Sequence, residues 1–398
     1  MADGTSAASA ATAPTPKSNT PPAGGMTAPG ASTGGSNGAG PGGMTNGSSP
    51  GGSGDSNPQS LHQKGRSKIP WSKDVWDRID AAVAMEVKRT RVCGRFLPVR
   101  PVPPKTTSVP TDSYSFAAGA AGAGGIFSVD EGATIRLNEY YVEFELTPQQ
   151  VDQEEGDFKS LGHSTAVTLA TKAANILAQA EDLIIFQGQN AITGAGPFIS
   201  QQVQTLSGNQ PLDTGLLNFA IGAKAPPPPG AGPLTPPITV IPVPPLAPAV
   251  PGVIYGPNTF EIVAQAYSQL QAVGHYGPYA LVLETIPYAD TFAPLPATLT
   301  LTADRIKPLM TAGFFGTGTL PPNAAPAPPP PAVPPPLVAP YFGVMVSLGG
   351  NTMDLVSGHE PIAAFQQEDT TGNYRFRVLQ RFALRVKDPT AIVILQFN

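Results

Sequence analysis

The chain has 398 residues with a formal net charge of −5 and 13% charged residues, which argues against a general affinity for nucleic acid. Its one cysteine, Cys93, can build neither a disulfide framework nor a cysteine metal cluster and fits a reducing compartment. No run approaches the roughly 18 apolar residues of a membrane span, and Met1-Ala2-Asp3-Gly4-Thr5 has neither the basic nor the apolar part of a secretory signal, so a cytoplasmic protein without membrane attachment is expected.

Residues 1–66 are mostly Gly, Ser, Ala, Thr, Asn and Pro, with only Asp3, Lys17 and Asp55 charged before residue 61. With almost no large apolar side chains to offset the entropy of ordering, they are expected to be a disordered leader. A helix then starts: Ser72 can cap it, Asp74 suits its positive end, and Val75, Ile79, Val83 and Val87 recur every fourth residue, broadened by Trp76. It is expected to end near Gly94. Residues 100–136 are rich in Pro, Ser, Ala and Gly and read as a long arm, an uncommon connection that usually has a job. Residues 139–146 (Glu-Tyr-Tyr-Val-Glu-Phe-Glu-Leu) read as a strand. The clearest helix covers 164–186, apolar at Ala166, Leu169, Ala173, Ile176, Leu177, Ala180, Leu183 and Ile184, with Gly188 placed for a C-cap. At about 1.5 Å per residue it is a beam roughly 33 Å long.

Two proline tracts follow, at 226–251 and 321–340. Between them a helix is expected from Asn258, with Glu261 at capping-box spacing, Phe260, Val263, Tyr267, Leu270 and Val273 on its buried face, and Gly274 at its end. Residues 279–283 and 341–348 are apolar throughout, as in strands buried on both faces. The last long strand alternates: Tyr374, Phe376, Val378, Phe382, Leu384 and Val386 on one side, and Arg375, Arg377, Arg381, Arg385 and Lys387 on the other. The charged side is expected to face solvent, with an inter-subunit seam as the alternative.

No catalytic constellation emerges. His62, His163, His275 and His359 are scattered without metal-ligand spacing. The glycine-rich stretches at 119–125 and 313–318 neither follow a strand into a helix nor lead to Gly-Lys-Ser/Thr, so no phosphate loop is expected. Glu154, Glu155 and Asp157 read as an acidic turn. Glu181 and Asp182 are adjacent on a helix, about 100° apart, and read as structural rather than as a catalytic dyad. The basic run Lys88, Arg89, Arg91, Arg95, Arg100 and Lys105 lacks interleaved aromatics and reads as a solvated or interface-pairing face. Neither cofactor nor metal is expected.

Seven short segments stand in a telling order: Trp76-Asp77-Arg78-Ile79-Asp80, Gly94-Arg95, Glu181-Asp182-Leu183-Ile184-Ile185-Phe186-Gln187-Gly188, Gly277-Pro278-Tyr279-Ala280-Leu281-Val282, Val344-Met345-Val346-Ser347-Leu348-Gly349-Gly350, Ser357-Gly358-His359-Glu360, and Phe382-Ala383-Leu384-Arg385-Val386-Lys387-Asp388-Pro389-Thr390-Ala391. Together they resemble the single-component encapsulins, bacterial shell proteins with the α+β, HK97 phage-capsid-like fold. The resemblance implies a disordered leader at 1–66, an N-terminal helix region at 67–103 and an extended arm (E-loop) at 104–137. It further implies a peripheral domain at 138–225 and 350–398, a proline-rich insertion at 226–251, and an axial domain at 252–349 interrupted at 321–340. The typical family has no counterpart for the long leader or the proline tracts.

The implied function is a non-enzymatic homo-oligomer, an icosahedral shell of roughly 60 or more subunits. Such a shell encloses a cargo protein through the cargo's C-terminal targeting peptide. The positions matching the family's lumenal docking groove are Val83, Val87, Arg95, Leu97, Val99, Ile362 and Phe365. The five-fold pore loop maps to Leu295, Pro296, Ala297, Thr298 and Leu299, an uncharged stretch unlike an ion-attracting channel. The alternative is a phage or prophage major capsid protein of the same fold, for which packaged nucleic acid is the partner.

Overall fold

The computed structural model describes residues 65–117, 126–161, 164–189, 191–195, 197–206, 215–222, 239–248, 252–294, 300–320 and 341–398. The first long element, α1 (Lys73–Thr90), starts where its spacing predicts, but the Ser72 side chain makes no cap bond. Its backbone carbonyl instead accepts the Val75 N–H at 3.2 Å. Val75, Trp76, Ile79, Val83 and Val87 form the buried stripe of α1. The helix stops at Thr90, short of Gly94, and a single 3₁₀ turn, Cys93–Arg95, carries the chain out.

That turn leads into β1 (Val99–Pro101). The arm follows as two antiparallel ribbons. Strand β2 (Ser108–Pro110) pairs with β5 (Thr134–Arg136), and β3 (Ser113–Ala117) pairs with β4 (Ile126–Asp130). After β6 (Asn138–Leu146) comes α2 (Pro148–Leu161). The acidic residues expected to form a turn therefore lie in a helix. There Glu154 is buried, bonded to the Ser164 hydroxyl and accepting the Ala166 N–H at 3.2 Å. This satisfies donors that the next helix leaves without partners. That helix, α3 (Thr165–Gln187), is the predicted beam, with Ser164 Oγ accepting the Val167 N–H at 3.0 Å.

Beyond α3 come the short helices α4 (Ala191–Gly194) and α5 (Pro197–Ser200), strand β7 (Val203–Thr205) and α6 (Leu216–Gly222). Part of the stretch expected as a proline-rich insertion is a strand, β8 (Thr239–Val243). Ile241 and Val243 are buried while Val240 and Pro242 are exposed. Its edge position in the sheet leaves room for a residue without an N–H.

Next comes α7 (Pro257–Ala272), and its expected capping box is absent. Asn258 Nδ2 instead donates to the Pro244 and Pro245 carbonyls at 3.1 and 3.2 Å. The backbone donors before α7 go to Asp290, whose buried carboxylate accepts the N–H groups of Ile254, Tyr255 and Gly256 at 2.6–3.0 Å. Strand β9 (Tyr279–Glu284), helices α8 (Thr285–Asp290) and α9 (Thr302–Ile306), and strands β10 (Gly313–Thr317) and β11 (Tyr341–Ser347) complete this region. A long hairpin, β12 (Met353–Glu368) and β13 (Tyr374–Val386), then leads to β14 (Ile392–Phe397).

The strands form two five-stranded sheets, ordered β1-β12-β13-β6-β7 and β10-β9-β11-β14-β8. α1 and α3 pack on one face of the first. Phe376 on β13 is fully buried there, stacked on Trp71 at 5.1 Å and on Phe144 at 5.4 Å. Burying one such side chain contributes roughly 1.5–3 kcal/mol. The second sheet explains its apolar strands. Ala280, Val282, Val344 and Val346 join the main core, while Tyr279, Leu281, Leu283 and Met345 join a second cluster beneath α7 and α9. Both faces are buried.

The charged side of β13 is not a solvated surface at its C-terminal end, whereas Arg375 and Arg377 are half-buried. Arg385 is 2% exposed and Lys387 1%. The Arg385 guanidinium makes a two-pronged bond to Asp354 on β12 at 2.9 and 2.7 Å and bonds Asp112 of the arm. Lys387 Nζ lies 3.0 Å from the same Asp354. Arg381 bonds Glu139 at 2.6 Å and the Pro104 carbonyl at 3.0 Å. The arm's base covers these groups, and a cation excluded from water survives only when paired.

Candidate docking groove

The second half of α1 sits beside the middle of β12. There the ladder slips, with register shifts between Ser357 and His359 and between His359 and Ile362. A bulge of this kind bends the strand and re-aims its side chains. It turns Glu360 toward Arg91, at 3.2 Å, just past the end of α1. Between them lies a groove of about 540 Å³ lined by Ala84, Val87, Lys88, Arg91, Gly94, Arg95, Glu360 and Pro361. Gly94 has a steric reason: a Cβ there would meet Arg91 Nε at 2.4 Å. Its absence lets the Arg91 side chain run past the turn.

Behind the groove, Arg91 also approaches Glu181 of α3 at 3.6 Å. Glu181 is 1% exposed, and its Oε2 has no hydrogen-bond partner among the described residues. Burial pushes its carboxyl up to about 8, opposed by Arg91 and reinforced by Asp182. Asp182 has a different job. Its two oxygens accept the N–H groups of Val92 and Cys93 at 2.7 and 2.8 Å, fixing the exit of α1 to α3. Burial raises Asp182 to about 6 against the pull of those bonds. Beside the bulge, burial disfavours the charge of Glu139, but bonds from His359 and Arg381 outweigh it and hold the carboxyl at about 2.

The positions matched to a docking groove are dispersed. Val87 and Arg95 line the groove. Val83, Leu97 and Phe365 lie in the chain's own main core, as does most of Val87, which is 2% exposed, leaving little surface for a peptide. Ile362 is on the opposite face of the sheet, with Ala364 and Leu379. Val99 is 39% exposed on the edge strand β1. The pore-loop positions Leu295, Pro296, Ala297, Thr298 and Leu299 lie outside the described residues, as does His163. Ala84, Glu360 and Pro361 were missed as groove residues. The signal was present in part, since Lys88 and Arg91 belong to the basic run and Glu360 closes one of the seven segments.

Among the described residues no cluster of His, Cys, Asp and Glu is placed to hold a metal ion, and no helix is long and apolar enough to cross a membrane. A family model described as Linocin_M18, encapsulating protein for peroxidase, matches residues 62–214 and 251–325, more than half of the chain. The chain belongs to the encapsulin family.

Over 137 residues the sequence is 29% identical to the type 1 encapsulin shell protein EncA of Myxococcus xanthus (strain DK1622). That alignment takes in 34% of this chain and 41% of the relative, so the chain spans less than half the length of the relative it matches. The virus-like particle of Pyrococcus furiosus superposes with a TM-score of 0.51 at 14% identity, covering 80% of this chain and 98% of the other. The likeness is one of fold, the α+β HK97-like fold shared by encapsulins and phage capsids. The holo-SrpI encapsulin complex of Synechococcus elongatus PCC 7942 is more distant, with a TM-score of 0.43 at 10% identity over 77% of this chain and 88% of that one.

Proposed function

We propose that this encapsulin-family chain assembles with copies of itself into a closed icosahedral shell that encloses a cargo protein in the cytoplasm. The observation that carries the reading is the arm. The β3–β4 ribbon has two strands and no third among the described residues, and Val129 on it is 44% exposed. Its root is held by the chain itself, the Tyr114 N–H donating to the Lys387 carbonyl at 3.0 Å, but a two-stranded ribbon is marginal in water and its outer part needs a further surface to lie on. In a shell that surface is a neighbouring subunit. The chain is read as a structural protein, with the α1–β12 groove facing the lumen as the place where a cargo's terminal peptide docks. The loop at 295–299 is read as the five-fold opening, narrowed by Leu295 and Leu299 and poor at drawing in ions.

The test is deletion of residues 113–130, which removes the outer ribbon and keeps the Val109 contacts at the arm's base. The truncated chain should keep its helical signal and elute as small species, while the full chain elutes as a megadalton particle. Assembly of the truncated chain into particles of normal size would refute the role given to the arm.

A further inference from the structure

Resting on the docking reading above, we infer that the groove takes an extended apolar peptide bearing carboxylates, and that Lys88 and Arg95 select it.

The groove supplies the apolar half of this recognition: Ala84 is exposed on α1, with the buried Val87 of α1 and Pro361 of β12 behind it. Its rim supplies the charge. Three cations, Lys88, Arg91 and Arg95, line it against one carboxylate, Glu360. The pairing inside the protein leaves that imbalance uncorrected. Glu360 is taken by Arg91, which also faces Glu181. Glu86, two residues before Lys88 on α1, is taken by Arg89 at 2.7 Å and by Asn175 at 2.6 Å. Lys88 is exposed and has no hydrogen-bond or ion-pair partner among the described residues. Arg95 is exposed, and among the described residues its guanidinium donates to the Arg89 carbonyl, at 2.6 Å, an acceptor that leaves its charge uncompensated.

Two uncompensated cations flanking an apolar trough match a strand-like peptide whose apolar side chains enter the trough while its carboxylates meet the rim. A peptide with lysines in those places would set like charges together. A nucleic acid fits less well, because no aromatic side chain lines the groove to stack a base.

The experiment loads shells in the cell. A fluorescent reporter is co-expressed with the full-length chain, carrying a C-terminal tail of alternating leucine and alanine that ends in two glutamates or in two lysines. Reporter per shell is read from fluorescence and absorbance of purified particles. The acidic tail should load roughly fivefold better than the basic one, the scale of two exposed charge contacts replaced by two repulsions. K88E/R95E shells should reverse the preference, and K88Q/R95Q shells should abolish it. Equal loading of both tails by wild-type shells, or a preference unmoved by charge reversal, overturns the inference. Shells that form but load neither tail overturn the inference and leave the shell reading standing. Failure of the full chain to form shells overturns both. Loss of co-purifying nucleic acid from K88E/R95E shells, without a change in tail preference, assigns the cations to a polyanion and also overturns it.

Discussion

Replacing Glu181 by glutamine should stabilise the protein most in alkali and leave it unchanged in acid. Glu181 lies inside the joint between α1, α3 and β12, facing Arg91 at 3.6 Å with its neighbour Asp182 and the β12 carboxylate Glu360 nearby. Its carboxyl, ordinarily at 4.5, stands at about 8 because burial penalises the charge more than Arg91 offsets it. For such a group the folded state holds its proton over a pH range where the unfolded state has lost it. Its contribution to stability is therefore full below about 4.5 and is lost as pH rises through about 8. At about 1.4 kcal/mol per pH unit, the loss approaches ~3 kcal/mol at pH 7 and reaches at most ~5 kcal/mol near pH 9. Glutamine has nearly the same shape and nothing to titrate, so the loss disappears. The assay is thermal unfolding of wild-type and E181Q protein from pH 5 to pH 9, followed by intrinsic fluorescence. The melting curves should nearly coincide at pH 5 and diverge steadily in favour of the variant. A constant offset across the range, or a variant that melts lower at pH 9, would refute this account.

Other substitutions test other joints. Asp354→Ala should destabilise the protein by about 3–5 kcal/mol, seen as a lowered denaturation midpoint, because Arg385 and Lys387 would remain buried without their shared carboxylate. Removing residues 1–64 should leave assembly intact, since they carry almost no large apolar side chains and Arg66 anchors the entry to Asp80 at 2.7 Å and to the Ala363 carbonyl at 3.1 Å. Electron micrographs without particles would contradict that. Exchanging Leu295 and Leu299 for aspartate should speed entry of a divalent metal to an encapsulated metal-sensitive dye. Unchanged entry into shells of normal size would show that the loop is not the route.

Local pattern carried much of the architecture. The four-residue recurrence from Val75 to Val87 located α1, and the alanine- and leucine-rich run located α3 to within a residue at either end. Alternation along β13 was equally plain, yet the environment of its charged side was not. Arg385 meets Asp354 and Asp112 at 31 and 273 positions' separation, so its burial depends on where the arm lies. Asn258 failed as a cap for a similar reason: the prolines that accept its bonds belong to a loop no local pattern tied to α7. The groove was the least legible feature. It requires a bulge in β12 and an arginine 269 positions away from its glutamate, and neither the kink nor the pairing has a local signature.

The measurement closest to the central claim is the mass and shape of the purified full-length protein at physiological salt. Light scattering on the eluting peak, with negative-stain images of the same fraction, reports both. A closed shell requires hollow, uniform particles of megadalton mass. A stable species near 41.0 kDa, the mass of one chain, would contradict it.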